Sequence, residues 1–391
     1  MSQRRRVARA VLTLAVSTAI GWLSTGCGSS HPGGALANAV TARSGVGASA
    51  LPGKHAYTTH DALIAVQDGP DGQHNASIDT RLYLPDNATP ATPQPAVLMT
   101  NGFGLSKTAA EITSTADFLA RHGYIVLTFS AQGFGASSGC IRLDSVDYDV
   151  KDASQLIDKV LADPAYKADG IAVASLVARD ALGPKVGMLG GSYGGGLTVN
   201  VAATDARVRT VIPGRTWNSL QYALYPNNVV TSGDPTGFGH QLLSSGVFKL
   251  EWTSLFFASG NAQPAQGNGG CPQEKAASGD PMTVAGIACT GYALELCETY
   301  AKIATTGDAD DASVSLLKQS SAATNLAKVK VPVMLVQGQS DTLFNLNDAA
   351  ATYLSLQQAG VPVALIWNSG GHGGYDSLPG ECEAYGNGTT G

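Results

Sequence analysis

The 391-residue sequence predicts an α/β fold with a mostly parallel central sheet and helices on both of its faces. Two observations lead to this prediction. From residue 76 onward, short strand-like segments alternate with longer helix-like segments, as in chains whose parallel strands are joined by crossover helices. Residues 96–99 are apolar without interruption, which is typical of a strand buried on both faces.

The individual elements follow from the periodicity of the apolar residues. Residues 76–84 place them at alternate positions, as in a half-buried strand, and residues 112–120 place them on one side of a helix that ends before Gly123. The predicted strands lie at residues 76–84, 96–99, 124–129, 186–189, 208–212, 331–336 and 363–367. The predicted helices lie at residues 112–120, 146–161, 195–203 and 348–358. In such a sheet, ligands bind beyond the carboxyl ends of the strands.

Residues 215 to about 328 interrupt this alternation and hold much of the aromatic content of the chain. We expect an inserted, mainly helical cap over a site at the strand ends, with aromatic side chains lining a substrate pocket. The alternative is that the same aromatic residues form only a small local core. With this insertion, the sequence predicts a single α/β domain over residues 55–391.

The N-terminal segment has the features of an export signal. Arginines at positions 4, 5, 6 and 9 precede an apolar stretch at residues 10–23 that is short for a membrane span. The segment ending in Cys27 resembles the lipobox of bacterial lipoproteins, in which the cysteine is lipidated, although Ser24 stands where that motif usually has Leu. We expect a lipoprotein-like signal peptide over residues 1–27 and a flexible linker over residues 28–54. The protein is then exported, either as a cell-envelope lipoprotein or as a secreted protein in which Cys27 is incidental.

The charge of the chain argues against two kinds of partner. Its formal net charge is −6 at pH 7, and no Lys/Arg cluster follows residue 9, whereas nucleic acid binding needs concentrated positive charge. Cleavage before Cys27 would remove four arginines and no acids, giving −6 − 4 = −10, and this charge does not favour adsorption to anionic lipid head groups. Contact with a membrane is therefore expected only through a lipid on Cys27. No oligomeric state is predicted.

The cysteines indicate disulfides rather than a metal site. Five remain after Cys27, and in an exported protein they are expected to form two disulfides and leave one thiol. We favour a pair within residues 271–297, without choosing among the pairings. No spacing is C-x-x-C, so a zinc site is not expected, and no organic cofactor is implied. These cysteines are Cys140, Cys271, Cys289, Cys297 and Cys382.

Two segments match the pattern G-x-S-x-G, in which a serine is held on a sharp turn between a strand and a helix. They are centred on Ser137 and Ser192. Ser192 follows the apolar strand at residues 186–189 and precedes the predicted helix at residues 195–203, whereas no helix follows Ser137. Ser192 is therefore the candidate nucleophile.

A serine hydroxyl becomes a good nucleophile when a base removes its proton and an acid orients that base. On this kind of turn, the acid and then the histidine follow the serine at later strand ends. Only His240 and His372 lie beyond Ser192, and His240 falls within the predicted cap. His372 follows the last predicted strand directly, and Asp341 follows the strand before it. We therefore predict that His372 is the general base and that Asp341 is the acid that orients it.

The oxyanion that develops during acyl transfer needs preorganised N–H donors. We expect one donor to be the backbone N–H of Tyr193, at the start of the predicted helix. The other is expected in the turn at residues 101–104, after the first buried strand, with the N–H of Phe103 as the candidate.

The segments around residues 101–104, 123–137 and 187–195 resemble the Xaa-Pro dipeptidyl-peptidase and cocaine-esterase-type group of α/β-hydrolases. The segments that contain Asp341 and His372 fit the same pattern. The resemblance implies an α/β-hydrolase fold with a helical cap, a catalytic triad of Ser192, Asp341 and His372, and acyl transfer to water. Many members supply a tyrosine hydroxyl to the oxyanion hole, but residues 101–107 contain no Tyr, so a backbone N–H is expected instead.

These features together predict an exported serine hydrolase that cleaves an ester or amide bond in a small-molecule or peptide substrate through an acyl-enzyme on Ser192. An ester is favoured, because nothing in the sequence marks a site for the N-terminal ammonium of a peptide. One alternative is an Xaa-Pro dipeptidyl-peptidase-type serine peptidase. The other is a non-catalytic lipoprotein that binds a ligand in the same pocket.

Overall fold

The computed structural model describes residues 54–225, 247–263, 271, 283–284 and 287–372. The predicted signal peptide and the predicted linker as far as residue 53 lie outside these residues. So do three single residues weighed in the sequence analysis, namely Cys27, His240 and Cys382.

An eight-stranded sheet runs through the described residues. Its strands are β1 (Tyr57–Asp68), β2 (His74–Pro85), β3 (Ala96–Thr100), β4 (Ile125–Phe129), β5 (Val186–Gly191), β6 (Val208–Gly214), β7 (Val333–Gly338) and β8 (Val363–Asn368). Their order across the sheet is β1-β2-β4-β3-β5-β6-β7-β8. β2 pairs antiparallel with both β1 and β4, and all the other neighbours are parallel. The predicted mostly parallel sheet is confirmed.

Helices connect the parallel strands, and further helices lie among the described residues between β6 and β7. They are α1 (Ala110–Arg121), α2 (Asp149–Leu156), α3 (Tyr193–Ala202), α4 (Leu220–Leu224), α5 (Leu250–Ala262), α6 (Leu294–Thr306), α7 (Asp311–Gln319) and α8 (Leu346–Gln358). A π-helix, Ile157–Ala162, continues α2, and short helical turns lie at Val173–Leu176, Ala322–Asn325 and Leu326–Lys328. Two-residue strands pair Lys167–Ala168 with Ile171–Ala172, Arg179–Asp180 with Gly183–Pro184, and Thr283–Val284 with Ile287–Ala288.

Two hydrophobic cores lie on opposite faces of the sheet. Leu98 and Met99 are consecutive residues of β3, so their side chains point to opposite faces. Leu98 belongs to a core that includes buried residues of α2 and α3, whereas Met99 packs with Ile112 and Ala116 of α1. The predicted helices on both faces are therefore present. No helix in the described part of the chain combines the length and apolar character needed to cross a membrane.

Two disulfides join cysteines in the described part of the chain. Cys140 pairs with Cys271 across 131 residues, and we call this the long-range disulfide. Cys289 pairs with Cys297 across 8 residues, and this is the short-range disulfide. The predicted pair within residues 271–297 is thus confirmed. The long-range disulfide joins the segment after β4 to the segment inserted between β6 and β7.

Candidate active site

Ser192 occupies the sharp turn between β5 and α3. Its backbone has φ 56° and ψ −118°, a strained conformation for a residue with a side chain. The flanking glycines make the turn sterically feasible. A Cβ on Gly190 would lie 2.4 Å from the carbonyl oxygen of Gly194, and a Cβ on Gly194 would lie 2.7 Å from that of Thr100. The turn is therefore packed so closely that it requires glycine at both positions.

Ser192, His372 and Asp341 form one hydrogen-bonded chain. Ser192 Oγ lies 2.9 Å from His372 Nε2, and His372 Nδ1 lies 2.9 Å from Asp341 Oδ2. Because a carboxylate only accepts, this pairing places a proton on Nδ1 and leaves Nε2 free to accept the serine proton. The structure thus brings together the three residues selected from the sequence.

The loops after β7 and β8 are tied to each other. β7 and β8 are parallel neighbours, so both loops leave the same edge of the sheet. The backbone N–H of Gln339 donates to Asn368 O at 2.7 Å, and that of Ser340 donates to Gly370 O at 3.1 Å. This direct pairing sets the distance between the loop that carries Asp341 and the loop that carries His372.

Both candidate oxyanion residues lie beside Ser192. Tyr193 is the first residue of α3. In the turn at residues 101–104, a Cβ on Gly102 would lie 4.0 Å from Ser192 Cβ. Asn101 holds this turn in place, because its Oδ1 accepts from the N–H of Ala131 and its Nδ2 donates to Gly102 O, both at 2.9 Å. The Phe103 ring packs edge-on against the Tyr193 ring, with centroids 5.8 Å apart.

A cavity lies between Ser192 and the residues inserted between β6 and β7. It encloses about 820 Å³ of empty space, part of it open to solvent. Its lining includes Phe103, Phe256, Tyr292 and Tyr300. The Tyr292 hydroxyl donates to Phe256 O at 2.6 Å and the Tyr300 hydroxyl to Ser254 Oγ at 3.0 Å, so both are already engaged. None of the described lining residues is an Asp, Glu, Lys, Arg or His.

Ser137, the other serine in a G-x-S-x-G segment, is fully buried away from this cavity. Its Oγ donates to Ser130 O at 2.7 Å and accepts from the N–H of Asp79 at 2.8 Å. The hydroxyl is committed to holding a loop against β2, so Ser137 has a structural environment.

Two polar residues near the site were not selected in the sequence analysis. Lys249, just before α5, and Gln337, in β7, both contact the turn that begins at Asp341. Burial lowers the pKa of Lys249. Burial also raises the pKa of the neighbouring Asp348 to about 7. A polar Gln337 at the end of an apolar strand was the one signal in the sequence that could have drawn attention to this turn.

The strand order, the antiparallel β2 and the serine on the β5–α3 turn define an α/β-hydrolase. A family model for X-Pro dipeptidyl-peptidases (S15 family) matches residues 71–374, and the chain belongs to this family. No curated protein matches the sequence significantly.

Several solved hydrolases are structurally similar to the chain. An acylaminoacyl peptidase from Pyrococcus horikoshii has 13% identity and a TM-score of 0.47, over 81% of this chain and 38% of its own. An esterase from Pyrococcus furiosus has 14% identity and a TM-score of 0.45, over 81% of this chain and 85% of its own. A puromycin hydrolase has 16% identity and a TM-score of 0.45, over 81% of this chain and 36% of its own. The chain thus spans well under half the length of the peptidase and of the puromycin hydrolase.

Proposed function

We propose that the protein hydrolyses esters through an acyl-enzyme on Ser192. The observation that carries this proposal is the hydrogen-bonded chain from Ser192 through His372 to Asp341. His372 Nε2 takes the serine proton while Oγ bonds to the carbonyl carbon, and the same nitrogen then delivers that proton to the departing alcohol. Water repeats the sequence in the second step and releases the acid. Asp341 stabilises the imidazolium that forms in each step.

The oxyanion of each tetrahedral intermediate is stabilised, in this proposal, by the backbone N–H groups of Tyr193 and Phe103. The N–H of Tyr193 is at the start of α3, where the helix dipole also favours negative charge. Removal of a donor of this kind typically costs about 10²- to 10³-fold in kcat.

The cavity supports an uncharged, apolar substrate. We propose that residues 215–328 act as the cap that shapes it. A peptide substrate that begins with X-Pro carries a free N-terminal ammonium. Burying an ammonium without a charged partner costs roughly several kcal/mol. The described lining offers rings and alkyl groups but no carboxylate. The ester preference inferred from the sequence is thus supported by the chemistry of the cavity.

Family membership favours a second candidate, an X-Pro dipeptidyl-peptidase. The two candidates share Ser192 and differ in the group that the cavity accepts. An X-Pro dipeptidyl-peptidase that buries the substrate ammonium needs a charged partner for it, whereas an esterase acting on apolar acyl groups does not.

Fluorophosphonate labelling tests the proposed chemistry. The purified protein should be labelled, and Ser192→Ala should abolish labelling while leaving the melting temperature nearly unchanged. Equal labelling of the two proteins would contradict an acyl-enzyme on Ser192, and no labelling of the wild type would favour a non-catalytic binding protein. Comparison of p-nitrophenyl acyl esters with Gly-Pro-p-nitroanilide then separates the two enzymes, since turnover of the anilide alone would mean a peptidase.

We also propose that the protein is exported. Two disulfides support this location, because disulfides persist in oxidising compartments. The Arg-rich N-terminal segment and Cys27 add the expectation of a lipid-anchored form. Mass spectrometry of the mature N-terminus is the test. A lipid on Cys27 of the wild type that is absent from the Cys27→Ala variant would support the anchor. An unprocessed N-terminus would contradict export.

A further inference from the structure

The turn that carries Asp341 is held by side chains as well as by its own backbone. We call residues 341–344 the acid turn. Asp341 Oδ1 accepts from the N–H groups of Leu343 and Phe344, at 2.9 and 2.8 Å. The carbonyls of residues 342, 343 and 344 all point to side-chain donors. The direction of the Asp341 carboxylate therefore depends on those donors.

Lys249 is one donor, and it comes from the inserted segment rather than from the sheet. Its Nζ donates to Thr342 O at 2.8 Å and to Leu343 O at 2.6 Å. Lys249 directly precedes α5, whose Trp252 ring meets the His372 ring edge-on at 5.8 Å. A single ammonium thus joins the start of α5 to the acid turn.

Gln337 is the other donor, and it comes from β7. Its side chain is buried, and its Nε2 donates to Phe344 O at 2.7 Å and to Asp341 Oδ2 at 3.2 Å. Oδ2 is the same oxygen that pairs with His372 Nδ1. Gln337 therefore contacts the one carboxylate oxygen on which the orientation of the imidazole depends.

We propose that Lys249 and Gln337 are positioning residues for the Ser192–His372–Asp341 group and act through Asp341, an inference that rests on the proposed hydrolase chemistry. Lys249 fixes the acid turn from the cap side and Gln337 fixes it from the sheet side. Catalytic groups must be held within about 0.5 Å of the productive geometry, and both donors restrain the carboxylate directly or through its neighbouring carbonyls. Both donors also place positive potential near the carboxylate.

Other charged groups share this neighbourhood. Asp348 interacts electrostatically with Lys249 and Asp341, and it accepts from the N–H of Asn218 at 2.9 Å. Arg215 follows β6 at the same edge of the sheet. The pH dependence of an Asp348→Asn variant is therefore measured as well, so that any change can be assigned to Asp341 or to Asp348.

Lys249→Met and Gln337→Leu remove the donors while keeping most of the side-chain volume. In each variant we expect kcat with a p-nitrophenyl ester to fall by about 10- to 100-fold, as for loss of a hydrogen bond to a charged group, with KM changed by less than about threefold. Less positive potential beside the carboxylate favours the protonated imidazole, so the acid limb of the kcat/KM profile moves to higher pH. Lys249→Arg should recover much of the activity.

Matched controls come from other parts of the fold. Lys151 donates to Gly69 O at 2.6 Å, and Gln132 is a buried amide that donates to two carboxylates. Lys151→Met and Gln132→Leu should leave the acid limb in place. If Lys249→Met or Gln337→Leu does not fold, Lys249→Leu and Gln337→Met, which also remove the donors, replace them, and the shift of the acid limb is again expected.

An activity loss that appears in KM alone would overturn the proposal, as would an acid limb of the kcat/KM profile that does not shift in folded variants. Both residues would then serve only the packing of the cap. Failure of the hydrolase proposal would look different, because the wild type would then lack Ser192-dependent turnover. In that case, an NMR titration of the His372 imidazole in the same variants still tests whether Lys249 and Gln337 position Asp341. A titration midpoint that moves to higher pH supports positioning through Asp341, and an unmoved midpoint contradicts it.

Discussion

Gly190→Ala should abolish the proposed hydrolase activity by displacing Ser192. The added Cβ would lie 2.4 Å from the carbonyl oxygen of Gly194, which is 3.4 − 2.4 = 1.0 Å short of ordinary van der Waals contact. The atoms that the added Cβ would meet are all backbone atoms of Gly194, so no flexible side chain can yield and the turn around Ser192 must move. A misplacement of about 1 Å can cost about 10²-fold in rate. We therefore expect kcat for a p-nitrophenyl ester to fall at least a hundredfold.

Gly191→Ala is the matched control, because a Cβ at the next residue would meet nothing closer than Gly214 O at 3.9 Å. This variant should keep kcat within about threefold of the wild type, since ordinary contact needs no displacement. Circular dichroism and melting temperatures establish that both variants are folded. A folded Gly190→Ala with near-normal kcat, or equal losses in the two variants, would refute the argument from close packing of the turn.

Three other predictions concern stability. Burial raises the pKa of Asp149 from 3.8 to about 7, so the folded state binds its proton more tightly and the free energy of unfolding should fall by about 3 kcal/mol between pH 4 and pH 7. Urea titrations across this range should show a weaker slope for Asp149→Asn. Ser137→Ala should cost about 1–3 kcal/mol, because a buried N–H loses its acceptor, yet leave fluorophosphonate labelling of Ser192 intact. Opening the long-range disulfide with Cys140→Ser should cost about 5 kcal/mol by loop entropy, against about 2.5 kcal/mol for Cys289→Ser, and similar melting temperatures for the two variants would contradict that account.

Much of the sheet could be predicted because its central strands are buried on both faces. Residues 186–189, for example, read as an apolar run and form most of β5. β1 was missed because it is an edge strand whose outer part faces solvent, with Leu63 60% exposed. The burial of β1 alternates from His60 to Asp68, but its exposed face carries Leu63 and its buried face ends at Asp68, so the alternation does not show in the residue types. The predicted helix at residues 146–161 begins later, at Asp149, and changes to a π-helix after Leu156, a change of pitch that apolar spacing does not detect.

Some residues of the candidate site could likewise be predicted from the sequence, and others could not. Ser192, Asp341 and His372 could be selected because each follows a strand, and parallel strands bring their carboxyl ends to one edge. Lys249 could not be selected, because its partners are backbone carbonyls, which every residue has. The pairing of Cys140 with Cys271 was equally inaccessible, since the five cysteines considered allow many pairings and only the fold decides between them.

Aromatic residues of the inserted segment both pack against one another and line the cavity. Phe257 stacks on Tyr300 with centroids 4.0 Å apart and on Tyr292 at 5.5 Å, which makes a local core. The same three side chains line the cavity. Since an aromatic pair contributes about 0.5–1.5 kcal/mol beyond its buried area, a substitution that widens the cavity also weakens the packing of the segment. The cavity wall is thus as constrained as a protein core, and in the proposed hydrolase its fixed shape and lack of charge would select among acyl groups.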